Sequence, residues 1–181
     1  MSLLRQLLPL AMPLGALVVG MATYSDPSEP RPRGLPTVAE APKPSYTKPP
    51  DPSSRRCSAD PQLSDALLIQ GQRLGIRIVA GPPELAGKDA SYRAEHGRLG
   101  TIVLKPRPMR AVVRCKLITH EFIHVLQHLN GQLKGVEPLG WGVSSEELRR
   151  HNVLQEAEAY QHQDNAGYVL TLLKATPKPS R

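Results

Sequence analysis

The sequence predicts an α+β fold: a few-stranded sheet packed on one apolar helix and on a longer helix that follows it. Three observations carry this. Residues 109–130 contain neither Pro nor Gly and stop at Gly131. Two short stretches read as strands: Ile76-Arg77-Ile78-Val79 alternates and ends at Gly-Pro-Pro, and Leu99–Leu104 is closed by Pro106 and Pro108. A capping box, Ser144 with Glu147, opens a third helical stretch that meets no proline before Pro177.

Composition limits where that fold can lie. The chain has 181 residues, enough for one domain with a modest core. It carries 19 prolines, nine of them within residues 26–56 among Ser, Lys and Arg. Residues 23–56 therefore read as a proline-rich disordered linker. The expected folded unit is 57–174, with 175–181 as a disordered tail. Ahead of the linker, Arg5 precedes an apolar run from Leu7 to Ala22 that ends in small residues. Residues 1–22 are thus expected to be a cleaved export signal or an uncleaved N-terminal membrane anchor. Either places the folded part outside the cytoplasm, periplasmic or extracellular.

The formal charge of +7 is misleading until it is mapped. Residues 57–174 hold 14 Lys and Arg against 12 Asp and Glu, so most of the excess is in the tails. No basic helix is interleaved with aromatics, which argues against a nucleic-acid partner. A basic spacer suits a membrane surface better. The two cysteines, Cys57 and Cys115, form an even pair in a chain expected to be exported, and a disulfide is the reading that fits. It would close a loop of roughly 60 residues, worth on the order of 4 kcal/mol in the chain-entropy model.

Element by element, Pro61–Leu74 has apolar residues at Leu63, Ala66, Leu67 and Leu74 and a glycine stop at Gly75, so it reads as the first helix. Ile76–Val79 is a strand. Residues 81–97 are turn-rich and read as irregular. Leu99–Leu104 is the second strand, Met109–Asn130 the second helix, and 131–143 a glycine-rich loop that holds the only tryptophan, Trp141. The third helix runs unbroken to about Lys174.

The second helix carries the chemistry. His120 and His124 are four residues apart and share one helix face, so both imidazoles can reach one metal ion. Glu121 lies about 100° round from His120, where the general base for an activated water belongs. Their neighbours Ile118, Thr119, Phe122, Ile123, Val125 and Leu126 are uncharged. Unpaired histidines in so apolar a helix would be costly without a ligand or partners. His128 is about 12 Å along the axis from His120, too far for the same ion. It reads as a rim residue or as a support behind the ligands.

A third ligand is expected from the third helix, where His151, Glu156, Glu158, His162 and Asp164 are the candidates. On one continuous helix Glu156 shares the inward face with Leu148, Val153, Ala159, Ala166 and Leu170. Glu158 falls about 200° away and is expected in solvent. Asn152 and Tyr160 lie on the inward face and are candidates to orient a ligand or stabilise an oxyanion. Cys115 lies about 220° from His120, behind the metal helix, where a bridge to Cys57 would brace the site.

His120-Glu121-x-x-His124, followed about thirty residues later by Glu156-Ala157-Glu158-Ala159-Tyr160, resembles the gluzincin metallopeptidases. The resemblance covers about residues 61–174, and its specific part is those two motifs. It implies a small zincin-like domain, zinc as cofactor, Glu156 as third ligand and a peptide or protein substrate. It also implies an edge strand before the zinc helix along which substrate lies, and Leu99–Leu104 occupies that place. Tyr160 stands where the family usually has Asp. The further histidine of the metzincin pattern is absent. The expected activity is therefore that of an exported zinc peptidase. The alternatives are a zinc-stabilised binding or scaffolding module without turnover, and a membrane-tethered interaction protein without metal.

Overall fold

A computed structural model describes residues 45–178. The expected export signal or anchor at 1–22 and the linker up to residue 44 lie outside the described residues, as do 179–181. Five helices and three strands follow one another: α1 Leu63–Arg73, β1 Arg77–Ala80, β2 Ala90–Glu95, β3 Arg98–Leu104, α2 Ala111–Asn130, α3 Ser145–His151, α4 Leu154–His162 and α5 Ala166–Ala175. The α+β class is as the sequence predicts. Among the described residues no helix is long and apolar enough to cross a membrane.

The strands form one sheet in the order β1-β3-β2, with β1 parallel and β2 antiparallel to β3. This corrects two expectations. Residues 81–97 are not wholly irregular, because Ala90–Glu95 is a strand that hairpins onto β3. Leu99–Leu104 is not an edge: β3 is the central strand, and β2 is the outer one on the side of α2 and α4. The hairpin turns at Gly97, whose φ of 76° suits a residue without Cβ. A register irregularity between Arg93 and Glu95 faces Gly100, where a Cβ would collide with the Arg93 carbonyl.

The core gathers on α2. Ile118, Phe122, Ile123, Val125 and Leu126 are buried against Leu63 and Leu67 of α1 and against Val169, Leu170 and Leu173 of α5. Phe122 is fully buried, and its ring lies so close to Gly71 that a Cβ there would come within 2.6 Å of it. Leu139 and Trp141 close the cluster from the loop after α2.

The expected single third helix is three helices. Asn152 ends α3 in the left-handed region, with φ 55°, and Val153 is extended. A second break falls at 163–165, between α4 and α5. Asn tolerates the left-handed conformation better than most residues, so α3 stops at Asn152 without Gly or Pro. The Ser144 cap itself forms, with the Glu147 N–H donating to Ser144 Oγ at 3.2 Å.

The folded unit also reaches beyond 57–174. The carbonyl of Tyr46 accepts from Trp141 Nε1 at 2.9 Å, and that of Lys48 from the Tyr168 hydroxyl at 2.7 Å. Residues 45–56 thus belong to the folded domain despite their composition, because two aromatic side chains of the core region fix the backbone. At the other end Thr176 is buried, and Arg73 Nη2 donates to the carbonyls of Leu173 and Thr176. The Cys57–Cys115 disulfide is formed and lies in the core.

Candidate metal centre

α2 and α4 bring three ligand groups together. His120 and His124 lie one turn apart on α2, with their Nε2 atoms 3.1 Å from each other. Glu156, in the first turn of α4, places Oε2 3.6 Å from His120 Nε2 and Oε1 3.1 Å from His124 Nε2. These three residues form a group whose ligand atoms all lie within 4.8 Å of one another and that could hold a metal ion. The histidines are nearly buried, and the Glu156 side chain is 37% exposed, so the group is closed behind and open in front.

The hydrogen bonds behind the group orient His124. Gln127 Nε2 donates to Glu158 Oε2 at 2.8 Å and to the Gln155 carbonyl at 3.0 Å. Its amide oxygen therefore faces His124 Nδ1, at 2.7 Å, and accepts the imidazole N–H. Nε2 is then the His124 atom that faces His120 and Glu156, and it is the one a metal would take in place of a proton. His120 Nδ1 is buried and has no hydrogen-bond partner among the described residues.

Glu158 is where the expectation fails. It is fully buried, not in solvent. Its carboxylate accepts from Gln127 Nε2 and from the backbone N–H groups of Leu139 and Trp141, each at 2.8 Å. The wheel of one continuous helix does not survive the break at Asn152: Leu148 and Val153, expected inward, are exposed, the Glu156 side chain is 37% exposed, and Glu158, on the face expected to be far from the core, is buried. The far face is covered by the loop after α2, a cover that helical periodicity does not register.

Electrostatics separate the two remaining carboxylates. Burial pushes the Glu121 carboxyl up to about 7; His124 opposes this, the Glu156 charge adds to it, and the Tyr92 backbone N–H and Lys88 oppose it. Hydrogen bonds donated by His120 and then His124 hold Glu156 well below the usual carboxylate range. Glu156 is thus ionised and ready to bind a cation, and Glu121 is poised to take up or release a proton near neutrality.

A cavity of about 230 Å³ opens over the group. Residues 88–92, the approach to β2 and its first half, form one wall, and Leu117, Tyr160 and Gln163 others. The Tyr160 ring lies edge-on to His120, centroids 4.4 Å apart, and stacks on His151 at 3.9 Å. Its hydroxyl is 3.1 Å from Lys88 Nζ, which is 4.0 Å from Glu156 Oε2. Lys88 is a site residue that sequence reading missed, because it lies in a turn-rich stretch with no period to follow. A larger cavity, about 460 Å³, lies elsewhere, between the α1–β1 turn and the β2–β3 hairpin, and none of the metal group lines it.

The other candidates have structural places. Asn152 is exposed at the end of α3 and does not line the cavity over the metal group, so it is the hinge residue there and not an oxyanion donor. His128 is buried and within 2.8 Å of the Tyr92 hydroxyl, which accepts from the Gly100 N–H; it pins the β2–β3 hairpin to α2. His162 Nε2 bonds the Gly142 carbonyl, and Asp164 accepts from the Ser58 backbone and hydroxyl. Comparison with models of protein families, with curated proteins and with solved structures finds no match.

Proposed function

We propose that this protein is an exported zinc-dependent peptidase of the gluzincin type, with a zincin-like domain. The observation that supports it most is the convergence of His120, His124 and Glu156 beside a buried Glu121 and an open cavity. Four tetrahedral ligands at zinc bond lengths of about 2.0–2.1 Å lie roughly 3.4 Å apart. The two histidine Nε2 atoms are 3.1 Å apart, close to that value, and each has one oxygen of the Glu156 carboxylate within 3.6 Å. Two imidazoles and a carboxylate are also a ligand set of known catalytic zinc sites, which leave one position open.

Bound zinc would supply the acidity that makes water a nucleophile at neutral pH and would polarise the substrate carbonyl. Glu121 takes the proton from the attacking water as its oxygen bonds to the carbonyl carbon and the carbonyl π pair moves onto oxygen. Collapse then breaks the C–N bond, and Glu121 returns the proton to the leaving amine nitrogen. The substrate would lie extended along β2, whose outer side borders the cavity, held by backbone hydrogen bonds. The disulfide agrees with a non-reducing compartment and so with export.

Glu121→Gln tests the mechanism. The variant is expected to keep one equivalent of zinc by elemental analysis and to lose casein hydrolysis by at least about 100-fold. Unchanged cleavage would remove Glu121 from the reaction. Parent protein that purifies without metal and takes up none would remove the zinc reading altogether.

A further inference from the structure

The metal group accounts for the nucleophile and the base but leaves the oxygen that becomes negative with only one neighbour to balance it. The open side of the group holds a single cationic side chain among the described residues lining the cavity, Lys88. Its Nζ is 4.0 Å from Glu156 Oε2, so it lies within a hydrogen bond's reach of the space in front of the ligands. Its position is set from both ends. The Tyr160 hydroxyl meets Nζ at 3.1 Å, and the Tyr160 ring is itself held between His120 and His151. Along the backbone, the Lys88 N–H bonds the Leu85 carbonyl, and the adjacent Asp89 is paired with Arg107 and accepts from the Lys105 N–H.

Charge points the same way. Zinc held by two neutral imidazoles and the Glu156 carboxylate would carry one positive charge in excess, since Glu121 is neutral once it has taken the water's proton, and Lys88 adds a second in front of it. A site so charged favours a monoanion in front of the metal ligands, which is what a peptide carbonyl becomes when water adds to it. Asn152, the other polar residue the sequence offered for that task, is outside the cavity.

We propose that Lys88 is a catalytic residue: its ammonium, steadied by the Tyr160 hydroxyl, stabilises the carbonyl oxygen as it turns anionic. The proposal rests on the zinc-peptidase reading and assigns the electrophilic half of that site to residues from the β2 approach and α4.

The test uses the zinc-loaded full chain and three variants, Lys88→Met, Lys88→Arg and Tyr160→Phe. Zinc content, kcat and KM on an unstructured peptide, and calorimetric affinity for inorganic phosphate are measured for each. Lys88→Met is expected to keep one zinc, to lose about 100-fold in kcat with KM changed less than about threefold, and to bind phosphate about tenfold more weakly. Lys88→Arg should recover at least part of both losses, and Tyr160→Phe should show a smaller loss of each. Retained zinc with kcat and phosphate affinity within about twofold of the parent overturns the proposal. So does loss of zinc from Lys88→Met, which would make Lys88 a support for Glu156. An effect confined to KM, and absent on C-terminally amidated peptides, also overturns it, because Lys88 would then read the substrate terminus. Parent protein that binds zinc and shows Lys88-dependent phosphate binding but cleaves no peptide upholds the anion site and removes the peptidase reading instead.

Discussion

Glu158 shows how much a single buried carboxylate can hold. It joins α4 to the loop after α2 through the Leu139 and Trp141 N–H groups, and to α2 itself through Gln127. Gln127 in turn orients His124. Glu158→Ala would strand three buried donors, at a cost of about 3 kcal/mol or more in stability. It would also free Gln127 to rotate and weaken zinc binding by about 10- to 100-fold. Denaturant titration and chelator competition measure the two effects; full stability with undiminished zinc affinity would sink the relay. The ligands set the pH dependence too. His120, His124 and Glu156 must be unprotonated to bind metal, so zinc affinity should rise with pH and collapse in acid. The sign follows from the protons released on binding, and competition titrations between pH 5 and 8 read it. At this scale the sequence was legible where side chains obey a spacing within one helix, as His120, Glu121 and His124 do, and in the choice of Glu156 to meet the two histidines. It was opaque for Glu158 and Lys88, whose surroundings come from aperiodic loops distant in sequence.

The elements tell a similar story through their breaks. Residues 144–175 contain only one glycine, Gly167, and no proline, so nothing in the usual punctuation divides them. The divisions fall at Asn152 and at Asp164-Asn165, residues whose short polar side chains favour turns over helix interiors. β2 escaped notice for a related reason: Ala90–Glu95 reads ASYRAE, with little of the β-branched signal, and owes its strand to pairing with β3. α3 is the element least tied to the rest. It has no buried residue, and among the helices and strands it packs only on α4. Its geometry depends on Asn152 at φ 55°. Asn152→Val should cost about 1–2 kcal/mol by forcing a β-branched residue into that conformation. Asn152→Gly should be nearly neutral. The loss should stay local, seen as faster amide exchange in 145–152 with zinc content unchanged. Global unfolding of the Val variant would mean that α3 is part of the core after all.

On the scale of the whole molecule, α2 is gripped from opposite sides. Behind it, Cys115 is tied to Cys57 at the N-terminal approach of the domain. In front, bound metal would tie His120 and His124 to Glu156 on α4. The two crosslinks close different loops of the chain and share no atom, so their contributions should be nearly independent. The chain-entropy model assigns the bridge, 58 residues in sequence separation, about 4 kcal/mol. Zinc at about 100 times its Kd adds about 2.7 kcal/mol by mass action. Cys57→Ser with Cys115→Ser, each with and without zinc, gives a four-cornered unfolding experiment. The doubly deprived protein should be weaker by about the sum of the two losses. The disulfide-free protein should still be stabilised by zinc to the same extent. If removing the bridge abolishes that stabilisation, the brace behind α2 is a condition for the metal site and not a parallel support. Aligning His120 and His124 would then depend on holding the back of their helix still.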